Sequence, residues 1–510
     1  MKRVAGWTAL LVAACCAAAL AGKLIARGAS GYMDARHHVD YRVGLLLPVR
    51  VVWQTSHGWA FLALILGLLV FIAWAGRRLA GALHDLDKHR TVAFLTAFFI
   101  ISAALMLVGV TFSGDPYAYI IFGRLLALHG INPYFLPVSL DVGGDQILRR
   151  CLLFYGNPPP ADNYGPLWTL FNAAIAKLDA ARPLGFQIGV LRAIAVLASG
   201  AAALGLLKIV SSKSPAEGIR KAGLFAFHPL VLYESAVGAH NDTIMVALAV
   251  WAFAIVEDYP LLAGLILGAS IAIKYVSVVA LPFLVIRAAR NGRLAGFLSA
   301  ALAIGVPVIC FKPFWLGPQT LYSVVGHGGT FAMSPAWMVN LPFFASGRAA
   351  LPALGSSLVL PLLGQPSWPR LVQLSFVAAF CAVALFAILR FRRSRRLEEL
   401  WRATSALLWA SPIIHPWYLL WLLPAAAGRG RWAVYAWWFG LLIVLRYALD
   451  ATHLAGQAPW GTAALVALTI AYLTLPVAVA RSRRGMHPLD EVVERELPAD
   501  TVWETQQRPA

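Results

Sequence analysis

Over most of this 510-residue chain the apolar positions neither alternate nor recur at a helical period; they run on in blocks, separated by short polar or basic stretches. The blocks 4–25, 58–76 ("GWAFLALILGLLVFIAWAG"), 91–112, 184–209, 368–389 and 461–480 approach or exceed the roughly 20 residues that a helix needs to cross hydrocarbon. Shorter blocks at 222–239, 243–257, 294–311, 401–416, 417–428 and 432–449 read as further spans. The stretch 261–286 reads either as one span or as a hairpin of two half-length helices around Lys274, and charge favours the hairpin, because Arg287–Arg293 belong with the other basic clusters. The pattern predicts an all-α polytopic membrane protein with roughly 12–14 spans. Two segments interrupt it, 113–183 and the Gly- and Pro-rich 312–367. Within the first, "PYAYIIFGRLLALHG" has apolar residues at near-helical spacing, as an amphipathic helix in the membrane interface would. A second such helix, or a short span, is expected at 164–181. The expected domains are an N-terminal hairpin and loop (1–90), a membrane bundle (91–480) and a polar cytoplasmic tail (481–510).

Composition agrees, with 60% hydrophobic and 13% charged residues, a balance that would expose too much apolar surface on a water-soluble globule. Lys and Arg number 42 against 23 Asp and Glu, a formal charge of +19. In a soluble chain such an excess suggests nucleic acid, but here it collects beyond helix ends: Arg77/Arg78 with Lys88/Arg90, Lys208 to Lys221, Arg287 to Arg293, "RFRRSRR" at 390–396, and Arg481 to Arg484. Placed on one side, these clusters satisfy the positive-inside rule, so no nucleic-acid partner is expected. With Lys2 and Arg3 inside, block 4–25 exits, 58–76 returns and 91–112 exits again, which puts Asp115 and the 113–183 segment on the extracytoplasmic side. The opening residues read as a retained first helix, or alternatively as a signal peptide, "VAAC" faintly resembling a lipoprotein cleavage box. The five cysteines lack metal-type spacing and read as packing residues.

The polar residues at the edges of apolar blocks carry the chemistry. Asp115, between Ser-Gly and Pro just past a span, is either a general base in a partly desolvated site or part of an ordinary helix start. His240 and Asp242 in "GAHND" either contact ligand or cap the helix that follows. Arg192 and Lys274 lie inside apolar segments, where a charge is a functional candidate by default, although Arg192 could snorkel outward and Lys274 could mark a hairpin tip. His415 precedes Pro-Trp-Tyr at a helix start and reads as a ligand contact or as part of an interfacial aromatic belt. No Gly-rich phosphate loop, HExxH or Gly-x-Ser-x-Gly motif occurs.

In order, "GDPYAY…FGR…HGINPY", "NYGPLW", "HPLVLYESAVGAHNDTIMVALA", "ASIAIKYVSVVALPFLV" and "HPWYLLWLLP" resemble the integral-membrane GT-C glycosyltransferases over about 91–425. The set is most similar to the bacterial polyprenol-phosphate-mannose-dependent α-mannosyltransferases, including the actinobacterial α-1,6-mannopyranosyltransferase type. The hairpin formed by 4–25 and 58–76 is an addition to that pattern. The resemblance implies a GT-C-like bundle in the bacterial plasma membrane that moves mannose, with inversion, from a polyprenyl-phosphate carrier to a glycan or glycolipid hydroxyl. It implies Asp115 as the base, Arg124, Arg192, Lys274 and His415 as candidates for the donor phosphate, and Tyr117, Tyr164, His240, Asn241 and Asp242 as residues shaping the sugar or acceptor site. No cofactor or obligatory metal is expected, because a preformed phosphate leaving group lessens the need for one; the alternative is a divalent ion held by Asp115, Asp162 and Asp242. A monomer among membrane lipids is expected. A transporter or flippase for lipid-linked sugars, and a non-catalytic assembly partner, are the rival readings; a transporter would be favoured by internal helix repeats, of which none is detected.

Overall fold

A computed structural model describes residues 1–29, 49–50, 56–86, 89–108, 110–111, 113–136, 140, 142–155, 159–211, 215–321, 333–345, 368–428, 430–447 and 459–482. Lys88, Lys213, most of the expected 312–367 loop and the tail from 483 onward lie outside the described residues. The fold is all α-helical apart from a two-residue parallel pairing of Val49–Arg50 with Val110–Thr111. Its first helices are α1 (Lys2–Ala29), α2 (Ser56–His84), α3 (Arg90–Met106), α4 (Asp115–His129), α5 (Gln146–Tyr155), α6 (Pro166–Leu178) and α7 (Leu184–Val210). There follow α8 (Pro215–Ala226), α9 (Pro229–Ala236), α10 (Asp242–Ile255), α11 (Pro260–Ile273), α12 (Leu281–Ala288) and α13 (Arg293–Phe311). The last are α14 (Pro335–Ala345), α15 (Trp368–Ser394), α16 (Glu398–Ala410), α17 (Gly430–Leu442) and α18 (Pro459–Arg481). Among the described residues five helices are long and apolar enough to cross a membrane unaided, within α1, α2, α7, α13 and α15. The other passes are shorter or broken, and the chain is a polytopic membrane protein.

The charged residues sort to one end. Arg3 approaches Asp85 at 3.8 Å and Lys208 approaches Asp258 at 3.7 Å. Arg287 and Arg290 converge on Glu257, Arg390 and Arg402 on Glu399, and Arg395 donates to the carbonyl of Ile286. From that end α11 runs to Lys274, where the backbone becomes extended (φ −154°, ψ 121°). Tight 3₁₀ turns at 275–280 and then α12 bring the chain back, so that Arg290 and Asn291 bond to Glu257 at 3.1 and 2.7 Å. The 261–286 stretch is therefore a hairpin with Lys274 at its tip, at the end opposite the basic clusters.

Two expectations change. The expected span at 417–428 is a pair of 3₁₀ segments, 416–421 and 423–427, each with a proline in its first turn, where the ring fixes φ and removes the N–H that would extend an α-helix. Helix α4 is not half-exposed: Pro116 to Leu125 are all buried, and it packs against α6 so closely that a Cβ on Gly123 would lie 2.5 Å from the carbonyl oxygen of Asn172. Its polar positions meet protein partners, so over that stretch it lacks the exposed face expected of an amphipathic helix. The 164–181 segment forms α6, whose 13 residues are too few to cross hydrocarbon.

Helix α6 is seated by the backbone. The amide of Gly165 donates to the carbonyl of Ile273 at 3.0 Å, satisfying one of the acceptors exposed where α11 stops. A Cβ at Gly165 would lie 2.1 Å from the carbonyl oxygen of Ala272, which no side-chain movement can relieve. Gly165→Ala should lower the thermal midpoint of the detergent-solubilised protein by several degrees, a cost of about 1–3 kcal/mol; an unchanged melting curve would contradict this packing.

Candidate active site

At the end opposite the basic clusters, five stretches of chain meet. Helix α4 begins with Asp115 behind Gly114, with Pro116 in its first turn; the amide of Asp115 is bonded to Ser113 Oγ at 3.1 Å. Its carboxylate is 16% exposed and accepts a hydrogen bond from the hydroxyl of Tyr164, in the turn before α6. One turn along α4, Tyr119 shares this face, as residues four apart in a helix do. Its hydroxyl donates to Asn241 Oδ1 and accepts from the Asn241 amide, both at 3.3 Å.

The turn 237–241 between α9 and α10 carries His240 and Asn241, and Asp242 opens α10. His240 Nε2 lies 3.7 Å from Asp115 Oδ2. Asp242 is fully buried and paired with Lys274 Nζ at 2.9 and 2.8 Å, and it also accepts from the indole of Trp421. The Lys274 ammonium lies 5.0 Å from the ring centre of Tyr418 and 5.7 Å from that of Trp421, a cation–π enclosure. From the 3₁₀ segment at 416–421, Trp417 stacks between His240 (4.2 Å, 17°) and His415 (4.3 Å, 8°). The cluster thus contains a part-exposed carboxylate, a neutralised buried ion pair, two imidazoles and a wall of aromatic rings. Burial pushes the Asp115 carboxyl above the usual range; Lys274 and the Tyr164 hydroxyl pull it back, and Asp242 adds to the rise.

Asp115, Tyr164, His240, Asn241, Asp242, Lys274 and His415 are brought together; three other candidates are not. Arg192 is fully buried, with Nε on the carbonyl of Val237 and Nη1 on that of Met106, both at 3.1 Å. It braces the turn that presents His240 rather than facing a ligand, and Tyr117 is buried beside it. Arg124 makes a two-pronged bond with Asp145 at 2.9 and 3.0 Å and reaches the carbonyl of Ala180 at 3.3 Å. Burial would raise the Asp145 carboxyl, but bonds from Arg124, the Leu148 amide and His129 outweigh it and hold Asp145 below the usual range. Both guanidinium groups are thus engaged in holding loops together, away from the cluster around Asp115.

Asp162 also stands apart, accepting from the Thr169 hydroxyl at 2.7 Å and the Tyr164 amide at 2.8 Å. Burial pushes its carboxyl up to about 7 against those two bonds. It shapes the turn that delivers Tyr164, and it does not join Asp115 and Asp242 in a ligand set. Among the described residues no three His, Cys, Asp or Glu side chains converge as metal ligands.

Sequence reasoning missed Tyr119, Glu234, Trp417, Tyr418 and Trp421. The four-residue spacing from Asp115 distinguishes Tyr119 from Tyr117, which is rotated well away on the same helix. Glu234, set within the apolar run "PLVLYESA", is an intramembrane carboxylate and was legible on that ground alone.

This arrangement has counterparts in sequence. Residues 13–290, more than half of the chain, match a family described as alpha-(1->6)-mannopyranosyltransferase, N-terminal domain. The chain is also similar to alpha-(1->6)-mannopyranosyltransferase A of Mycobacterium tuberculosis (strain ATCC 25618 / H37Rv), 26% identical over 436 residues, which cover 79% of this chain and 78% of the relative. No solved structure matches it. The matched span contains α4, the turn before α6, the 237–241 turn and Lys274, so it holds most of the cluster and removes the ground for a transporter. The chain belongs to the alpha-(1->6)-mannopyranosyltransferase family and is a membrane glycosyltransferase.

Proposed function

We propose that the chain transfers mannose from a polyprenyl-phosphate carrier to the hydroxyl of a growing glycan or glycolipid, forming an α-1,6 linkage on the outer face of a bacterial plasma membrane. The observation that carries this reading is Asp115: a part-exposed carboxylate at the end of the bundle remote from the basic clusters, fixed by Tyr164 and flanked by His240. The acceptor oxygen attacks C1 of the sugar from the face opposite the phosphate, so configuration inverts. Its proton passes to Asp115 as the new C–O bond forms. The C1–O bond to phosphate breaks, and the carrier leaves as a phosphate monoester with one more negative charge than the diester.

That added charge needs a cation. Lys274 has three N–H donors, of which Asp242 accepts two, and the remaining one is available to an oxygen of the departing phosphate; Tyr418, which the ammonium faces, also touches His415. The aromatic wall of Trp417, Tyr418 and Trp421 suits the apolar faces of a pyranose. Asp115→Asn should fold normally and lose at least ~10²-fold in kcat with polyprenyl-phosphate mannose in proteoliposomes. The base works ionised, so activity is complete above its pKa and is lost as pH falls through it. The acidic limb of kcat/KM should therefore lie above the ordinary aspartate value of about 3.9. Undiminished turnover by the Asn variant removes the assignment.

Removing only one member of the buried pair leaves a lone charge. Lys274→Met should cost about 3–5 kcal/mol of stability, whereas Lys274→Met with Asp242→Leu should recover most of it and remain inactive. Recovery of transfer in the double variant would show that the ammonium is not needed at the phosphate.

Sidedness has its own test, in a background lacking the native cysteines. Leu128, 40% exposed near the end of α4, and Arg290, 57% exposed among the basic clusters, mark opposite ends. A membrane-impermeant thiol reagent added to intact cells should label Leu128→Cys and spare Arg290→Cys; the reverse pattern would place the cluster in the cytoplasm.

A further inference from the structure

Glu234 is fully buried on α9, where an unpaired carboxylate costs several kcal/mol. Its Oε2 lies 2.8 Å from Nδ1 of His240, whose Nε2 on the far side of the ring faces Asp115 Oδ2. The 2.8 Å separation is that of a hydrogen bond, although the ring is turned somewhat out of line with it. No other side chain or backbone group among the described residues gives either Glu234 oxygen or either His240 nitrogen a well-aligned bond. Each group has a need that only the other is placed to meet.

The backbone is shaped for this meeting. A Cβ on Gly238 would lie 2.6 Å from His240 Nδ1 and 2.7 Å from Glu234 Oε2, so only glycine leaves the space between them open. Ala239 takes a left-handed φ of 52°, uncommon for a residue with a side chain, and the His240 amide bonds to the Glu234 carbonyl at 3.0 Å. Arg192 holds the turn from behind through the carbonyl of Val237. Trp417 fixes the plane of the imidazole by stacking and offers it no hydrogen bond.

We propose that Glu234 and His240 form a proton-sharing pair of zero net charge that positions Asp115 and keeps its carboxylate ionised in a partly desolvated site; the inference rests on Asp115 being the base. At 2.8 Å the shared proton resides on either Oε2 or Nδ1. Carboxylic acid with neutral imidazole and carboxylate with imidazolium have the same composition, and in both forms Nε2, 3.7 Å from Asp115, carries a hydrogen whose effect on the carboxylate at that distance is electrostatic. The pair neither gains nor loses a proton in turnover, because the acceptor's proton ends on Asp115. The other charged or titratable groups facing the trio are Asp242 and Lys274, which neutralise each other, with Tyr119, Tyr164, Tyr233 and Tyr418. Glu234 and His240 are thus positioning residues, acting on the reaction through Asp115.

The test is the pH dependence of kcat/KM for the full-length protein in proteoliposomes with polyprenyl-phosphate mannose. Glu234→Gln, isosteric and neutral, and His240→Phe, which keeps a ring against Trp417, should each lower kcat by ~10–100-fold with donor KM changed by less than about 3-fold. Each should move the acidic limb upward by about half a unit or more, because His240→Phe removes the N–H that faces ionised Asp115, and Glu234→Gln, which can still bond to Nδ1, bars the imidazolium form. Acting through one another, the two changes combined should be no worse than His240→Phe alone. A loss of activity with the limb in place, or losses that multiply in the double variant, would overturn the proposal and make the pair a packing feature. Asp115→Asn measured in parallel separates the two ideas: if it is active the base assignment falls, whereas if it is inactive while the Glu234→Gln limb stays in place only the pairing falls.

Discussion

The pairing of Asp242 with Lys274 is the joint from which the rest of the site is hung. One residue opens α10 and the other ends α11, so their contact fixes the register of two antiparallel helices at a single point. A buried ion pair is poor value as a source of stability, since desolvating both charges offsets much of their attraction. Here the geometry is over-determined by the Trp421 indole and by two aromatic rings around the ammonium. What the pair secures is position. It places His240 and Asn241, immediately ahead of Asp242, over Asp115 and Tyr119, and it leaves the broken end of α11 facing the turn that holds Tyr164.

Two buried arginines show how a membrane protein can use charge without offering it to a ligand. Arg192 and Arg124 both lie close to the cluster in sequence-motif terms, and both bond to carbonyl groups or a carboxylate of their own chain. A guanidinium with five donors is well suited to tie loops that have no regular backbone partners. Such cations shape the site by fixing the turn at 237–241 and the segment after α4. The ammonium of Lys274, partly exposed, is a different case, because one of its donors remains uncommitted by Asp242.

Most of the architecture was legible because hydrophobic blocks and basic clusters report directly on membrane crossing. Of the two readings of 261–286, charge favoured the hairpin around Lys274, since a single span would have stranded Arg287–Arg293 at the wrong end. What could not be read was burial around short elements: α4 looks amphipathic in sequence because Asp115, Tyr119 and Arg124 are polar, yet each has a partner contributed by residues 20 to 120 positions away. The same limit applies to the site. Asp115, His240, Asp242 and Lys274 announce themselves as polar interruptions of apolar sequence, whereas Trp417, Tyr418 and Trp421 are indistinguishable from an interfacial belt until tertiary contacts aim them.

The brevity of the α11 hairpin has a further meaning. Its ascending arm has 14 residues, about 21 Å of helix, against a hydrocarbon layer about 30 Å thick. The arm is thus about a third shorter than such a layer is thick. The Asp242–Lys274 pair at that tip is therefore set below the end of the 19-residue helix α13 that packs alongside, in a recess of the bundle. Whatever meets the cluster must be slender enough to reach down past that neighbour.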